Sequence, residues 1–217
     1  MEKSRRTQYI AIIALVIGVV GLSIGFSAFS SVLQIQSSAT VKPDSSTMNV
    51  DFSSSSTEVL TEKITPTVTG TTATATDATI DNTSAPTISN LSATFTAPGQ
   101  KAVYSFYAYN AGELEAFLKS IVYSNATRGT APKVCTAKSG TTDTLVQNAC
   151  NGISLKVKVG TEAEVSGGKA GITTHSLAKK TSEKVEVTIE YAADADRADG
   201  DFTVSFGDVT LNYSSTD

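Results

Sequence analysis

Few residues in this sequence are of types that do chemistry, and they are scattered. Four aspartates, Asp194, Asp196, Asp199 and Asp201, crowd together around Gly200. Calcium takes several oxygens from one flexible loop, so this stretch is the candidate calcium site. Its spacing is not that of an EF-hand: the glycine falls one place late and no glutamate closes the loop. Without a metal, the same residues read as a solvated hairpin loop in which Asp199-Gly200 supplies the turn. His175 is the sole histidine, with Thr173, Thr174 and Ser176 beside it. A nucleophilic hydrolase needs a base held by an orienting acid, and nothing in the sequence places one. The expectation is an exposed loop histidine. HExxH, GxSxG and a phosphate-binding glycine loop are missing, and tryptophan, common in sugar clefts, is absent. The sequence therefore reads as a non-enzyme, with no cofactor apart from calcium at the acidic loop.

Cys135 and Cys150 are the only cysteines. In an exported chain such a pair forms a disulfide; two free thiols are the alternative. With a single distant histidine they make a poor tetrahedral metal set. Export is indicated by the first residues. Lys3, Arg5 and Arg6 precede an uncharged apolar run from Tyr9 to Phe26, interrupted by Gly18, Gly21, Ser23 and Gly25. Residues 1–27 read as a signal peptide cut near Ser27–Ala28 or, being close to the ~20 residues that span a bilayer, as a retained membrane anchor. In the retained form, Gly21 and Gly25 would make a small-residue packing face. Membrane contact is expected only through this segment, and the destination is extracellular: cell surface or matrix. The formal charge is −4. Removing three bases and one acid with residues 1–27 leaves −6, and no basic stripe is present. That excludes nucleic acid as the natural partner.

The elements that must position these residues are strands. Period-two alternation dominates, and helical stripes are scarce. Met48, Val50 and Phe52 share a face, and Ser53 to Thr57 reads as a serine-rich loop. A Thr/Ala-rich stretch at 64–80 suits thin edge strands, with Pro66 at a strand start. Leu91, Ala93 and Phe95 alternate, and Pro98-Gly99 turns the chain. Lys101 to Asn110 is apolar on both faces and reads as a central strand. Leu114 to Tyr123 reads as a short helix or a strand. Asn125 to Gly152 reads as a long polar excursion pinned by the disulfide. Ile153 to Val159 and Val185 to Tyr191 alternate as half-buried strands, with Gly167-Gly168 as a turn between them. In the last strand, Phe202, Val204 and Phe206 hold one parity and Val209, Leu211 and Tyr213 the other. The slip at Gly207-Asp208 predicts a β-bulge. The fold class expected is all-β: a jelly-roll or Greek-key β-sandwich over residues 37–217, preceded by an N-terminal apolar helix. Asn82, Asn90, Asn125 and Asn212 open glycosylation-type triplets, as chance allows in a chain this rich in Asn, Ser and Thr.

Residues 28–36 form a separate N-terminal strand with Phe29, Leu33 and Ile35 on one side. Such a strand either closes its own sandwich or adds to the open edge of a neighbour. Head-to-tail addition of this kind builds an open filament.

Three stretches give the chain a family likeness: Gly25-Phe-Ser-Ala28-Phe29-Ser30; Ala97-Pro-Gly-Gln-Lys101 through Phe106-Tyr-Ala-Tyr-Asn110-Ala-Gly112-Glu-Leu114; and Phe202-Thr-Val-Ser-Phe206. In them it resembles the TasA/camelysin group of bacterial biofilm-matrix and surface proteins. The Thr/Ala-rich stretch and the cysteine loop depart from that pattern. The resemblance implies a jelly-roll subunit released by a dedicated signal peptidase and polymerised with copies of itself. In such a fibre Phe29, Leu33 and Ile35 would be donor-strand side chains. The expected function is a surface or matrix fibre protein assembled by donor-strand exchange. The alternative is a membrane-anchored, monomeric adhesin or ligand-binding β-sandwich.

Overall fold

The computed structural model describes residues 14–16, 48–57, 62–126, 131–167, 169–170 and 175–215. The chain divides into two compact units, Met1–Lys42 and Pro43–Asp217. Of the first, residues 14–16 are described; they are helical and exposed. The expected donor strand 28–36, with Phe29, Leu33 and Ile35, lies outside the described residues. Among those described, no helix is long and apolar enough to cross a membrane.

The second unit is built from short strands separated by the turn residues of the sequence. They are β1 (Val50–Ser53), β2 (Lys63–Ile64), β3 (Thr67–Thr69), β4 (Thr74–Ala75), β5 (Ala78–Asp81), β6 (Thr87–Ser89), β7 (Ser92–Phe95), β8 (Lys101–Asn110) and β9 (Ala116–Tyr123). Then follow β10 (Lys133–Ala137), helix α1 (Asp143–Asn151), β11 (Ile153–Val159), β12 (Val165–Ser166), β13 (Lys169–Ala170), β14 (Ser176–Leu177), β15 (Ser182–Tyr191), β16 (Phe202–Phe206) and β17 (Val209–Ser214). The Thr/Ala-rich stretch makes β2 to β5, short and mostly exposed, and β3 starts directly after Pro66. Leu114 to Tyr123 resolves as the strand β9.

The described strands form three antiparallel sheets. The first runs β1-β8-β15-β11-β12, with β3 also on β8; the second runs β10-β16-β7-β4; the third runs β13-β9-β17-β6-β5-β2, with β14 also on β9. The first sheet faces the other two across one apolar core. Tyr104 of β8 crosses the gap, its hydroxyl 3.1 Å from the carbonyls of both Thr76 and Ser92; burial pushes this phenol up to about 12. Tyr191 of β15 meets the rings of Phe95 (5.9 Å) and Phe202 (5.6 Å) from the opposite layer. Asn110, fully buried, donates to the carbonyls of Leu114 (2.8 Å) and Leu177 (3.0 Å) and accepts from the Gly112 N–H. It ties the end of β8 to β14.

The order β1-β8-β15-β11 opposite β9-β17-β6 matches the A-B-E-D and C-F arrangement of Greek-key sandwiches. The departure is β6, which comes from before β8 yet stands where a later strand would. Between the two expected forms of sandwich, this order is the Greek key.

Three local expectations change. The parity slip at Gly207-Asp208 is not a bulge within one ladder. It is where the chain leaves the second sheet as β16 and enters the third as β17, and the ladder irregularity itself falls at Asn212/Tyr213. The companion strand switches the same way between β6 and β7, at Asn90 with φ 60. The Phe206 N–H bonds the Leu91 carbonyl across this seam (2.9 Å). The polar excursion 125–152 contains β10 and α1, and Val146, Ala149 and Cys150 of α1 are buried. The acidic loop is not a hairpin, because it carries the chain from β15 in one layer to β16 in the other.

Candidate functional site

Cys135 and Cys150 are joined in a disulfide, as the sequence suggests. The bond fastens α1 against β10, and the acidic loop docks onto the other end of the helix. Asp199 accepts the Thr142 N–H (2.9 Å) and the Thr142 hydroxyl (2.5 Å). These hydrogen bonds hold the Asp199 carboxyl below its ordinary value. Negative charge at a helix N-terminus is favourable there. The Asp201 carbonyl accepts from Thr141 Oγ1 (3.0 Å) and the Asp196 carbonyl from Tyr191 Oη (2.5 Å). The Asp199 carboxylate and two backbone carbonyls of the loop are thus committed to docking. Among the described residues no three His, Cys, Asp or Glu side chains are gathered to hold a metal ion. Asp194, Asp196, Asp199 and Asp201 do not form such a group. Gly200 also works differently from the expected turn: a Cβ there would sit 2.6 Å from Thr141 Oγ1, so it permits close approach.

His175 is not the exposed loop residue that the sequence suggests. Its side chain is 10% exposed and lies between Glu183 (11%) and Glu162 (41%). Nε2 bonds Glu183, and Nδ1 lies 3.2 Å from Glu162. Tyr213 from β17 donates its hydroxyl to the other oxygen of Glu183 (3.1 Å). Burial raises the Glu183 carboxyl, opposed by the histidine, and burial beside Glu183 raises the Tyr213 phenol well above its ordinary value. Gly160, at φ +54, passes so close that a Cβ would lie 2.8 Å from Glu183 Oε2. Both imidazole nitrogens are engaged by carboxylates, which leaves neither free to take a proton from a hydroxyl. The array ties β17, β15 and the turn after β11 to the start of β14.

The concave feature with ligand-like composition is elsewhere, in a groove of about 320 Å³ at the open end of the sandwich. One wall is the start of β11, Ile153 to Leu155; β12 pairs with β11 only at Lys156 and Val157. The other walls come from Tyr123 at the end of β9, Lys133 at the start of β10, and Phe206-Gly207 at the sheet switch. Gly207 is required: a Cβ would stand 2.3 Å from the Ser124 carbonyl. Tyr123 spans the layers by donating to the Val165 carbonyl (2.8 Å).

Among the described residues, Lys133 is the only charged side chain lining the groove. Its Nζ donates to the Ile153 carbonyl at 2.5 Å, capping the unpaired edge of β11. Burial lowers its pKa, and among the described residues it has no carboxylate partner. An ammonium has three donors, so one bond to Ile153 leaves two. Ser124, Ser154 and Ser166 add hydroxyls to the lining. At about 320 Å³ it lies near the lower bound of the ~300–1,000 Å³ typical of small-molecule sites. An apolar lining with a few polar groups and a titration-shifted residue is the composition expected of such a site. Sequence reasoning missed it because its residues are spread over 123–207 and meet only through topology. The placement of Lys133 directly after Pro132 offered no signal.

Asn82, Asn90 and Asn212 spend their side-chain amides on Phe52 O, Asp77 O and Ser120 Oγ. These asparagines of the glycosylation-type triplets hold structure.

No protein-family model matches the chain, and a search of curated proteins finds no match. Among solved structures the chain is similar to the carbohydrate-binding module TmCBM61, solved in complex with beta-1,4-galactotriose. The identity is 10%, the TM-score 0.24, and the match covers 66% of this chain and 90% of that one. A superposition of that quality carries no inference about what this chain binds.

Proposed function

We propose that this protein is an exported, non-catalytic β-sandwich acting at the cell surface or in the surrounding matrix as a binding module. Its ligand sits in the groove between β9, β10, β11 and β16. The observation that carries the reading is Lys133: a partly buried ammonium with two spare donors at the floor of a concave site walled by Tyr123 and Phe206. The disulfide fits an oxidising destination, and the leader of residues 1–27 fits export. The test is a saccharide panel titrated into the isotope-labelled full chain. Amide shifts should cluster at residues 123–124, 133, 153–155 and 166. Shifts confined to the outer face of β8 and β15, or none with any compound, would refute the assignment.

Fibre assembly is the second reading. It rests on the position of residues 28–36 behind the leader and on the resemblance to TasA and camelysin. One edge is already guarded: Asn82 bonds both the N–H and the carbonyl of Phe52 on β1 (2.8 and 3.0 Å), so an added strand would need another acceptor edge. Electron microscopy of the protein lacking residues 1–27, with and without 28–36, decides the matter. Fibres that survive the deletion end that reading.

A further inference from the structure

The groove's composition narrows the ligand further, if the binding-module reading holds. Among the described residues its lining carries one cation and no carboxylate. Taking an ammonium out of water without a counter-charge costs free energy, and this cost lowers the Lys133 pKa. A bound anion would offset it. The remaining lining divides into two kinds. Tyr123, Ile153, Leu155 and Phe206 form an apolar wall; Ser124, Ser154 and Ser166 offer hydroxyls. Ser124 Oγ already accepts the Asp208 N–H (2.7 Å), while Ser166 Oγ makes only a long contact to Leu155 O (3.4 Å). Ser154 makes no side-chain hydrogen bond among the described residues, which leaves its hydroxyl available. The volume, about 320 Å³, suits a compact ring rather than a polymer segment laid end to end.

We infer that the groove takes an acidic sugar, a ring bearing a carboxylate. Lys133 Nζ binds the carboxylate while keeping its bond to Ile153. The ring's C–H face lies on Tyr123, and its hydroxyls reach Ser154 and Ser166. A bare inorganic anion would use Lys133 and leave the wall unused. A neutral sugar would use the wall and leave the ammonium uncompensated.

The test titrates D-glucuronate, D-glucose and inorganic phosphate into the full chain, read by amide shifts. Glucuronate should bind most tightly and weaken as sodium chloride is added. Lys133→Met should reduce glucuronate affinity at least about tenfold, the loss expected of one charge-assisted hydrogen bond. Lys133→Arg keeps the charge and should retain measurable binding. Lys158→Met, which removes a cation outside the groove, should change nothing. An intact spectrum of each variant shows that it is folded, and the Arg and Lys158 variants keep the test decisive if Lys133→Met is not. Equal binding of glucose and glucuronate at the groove overturns the anionic class and leaves the module reading standing. Phosphate binding as tight as glucuronate overturns the sugar. Shifts away from the groove overturn both.

Discussion

Reducing the Cys135–Cys150 bond should cost about 3 kcal/mol of stability without unfolding the protein. The two residues are separated by 15 positions. Closing a loop of that length removes about 10 cal/mol/K of entropy from the unfolded chain, or about 3 kcal/mol at 25 °C. For a domain of this size each kcal/mol is worth about 2–4 °C, so the midpoint should fall by about 6–12 °C. The reduced segment keeps other attachments. The β10–β16 ladder pairs Lys133 to Ala137 with Phe206 to Phe202, Asp199 holds Thr142, and Val146 and Ala149 are fully buried. Urea unfolding of the wild type with and without reductant is the direct assay, and Cys135→Ala/Cys150→Ala is the companion. The double variant also loses the packing of two nearly buried sulfurs, so it should be somewhat less stable than the reduced wild type. A penalty under about 1 kcal/mol would show that the segment is already constrained in the unfolded chain. A penalty above about 5 kcal/mol would show that β10 and α1 cannot stay packed without the bond, and the loop-closure argument would be refuted either way.

Two further outcomes follow from buried polar groups. Asn110→Ala leaves the Leu114 and Leu177 carbonyls and the Gly112 N–H without their partner; the loss should be about 2–4 kcal/mol by urea unfolding, and a loss under about 1 kcal/mol would mean that water replaces the amide. Glu183→Gln probes the histidine array of Glu162, His175, Glu183 and Tyr213. The Glu183 pKa is raised in the fold, so the folded state holds that proton more tightly than the unfolded chain does. Its stabilising contribution is full below the ordinary glutamate value and is lost as pH rises through the raised one. Wild-type midpoints should therefore fall relative to Glu183→Gln as pH rises above the ordinary glutamate value; parallel curves would sink this account.

The strands were legible where one face is buried, because burial imposes period two. Ile153, Leu155, Val157 and Val159 are all buried while Ser154, Lys156 and Lys158 are half-exposed, and β15 repeats the pattern. Lys156 pairs with Glu190 across that solvated face. The helix was missed because its buried stripe is thin: Val146, Ala149 and Cys150 face inward while Leu145 remains 38% exposed. Thr142-Asp143 before that spacing and Gly152 after it were the usable signals. His175 was misread for another reason. Loop residues are usually solvated, but here two carboxylates from distant positions close over the ring. No local pattern encodes a contact between residue 175 and residues 162, 183 and 213.

The same limit explains the groove and gives it physical sense. Where strands end or switch sheets, backbone groups lose their ladder partners and must be satisfied by something else. At β1 that partner is the Asn82 amide; at the end of β8 it is Asn110. At the start of β11 the Ile153 carbonyl is met by Lys133 and the Leu155 carbonyl by Ser166. The first two caps are neutral amides that saturate what they touch. The third is a cation satisfied by a single carbonyl in a place already half-removed from water. Capping that edge alone would be served as well by a neutral donor, without the desolvation cost of an ammonium. A lysine there, with two donors to spare and no carboxylate partner among the described residues, is the feature on which the proposed anion site rests.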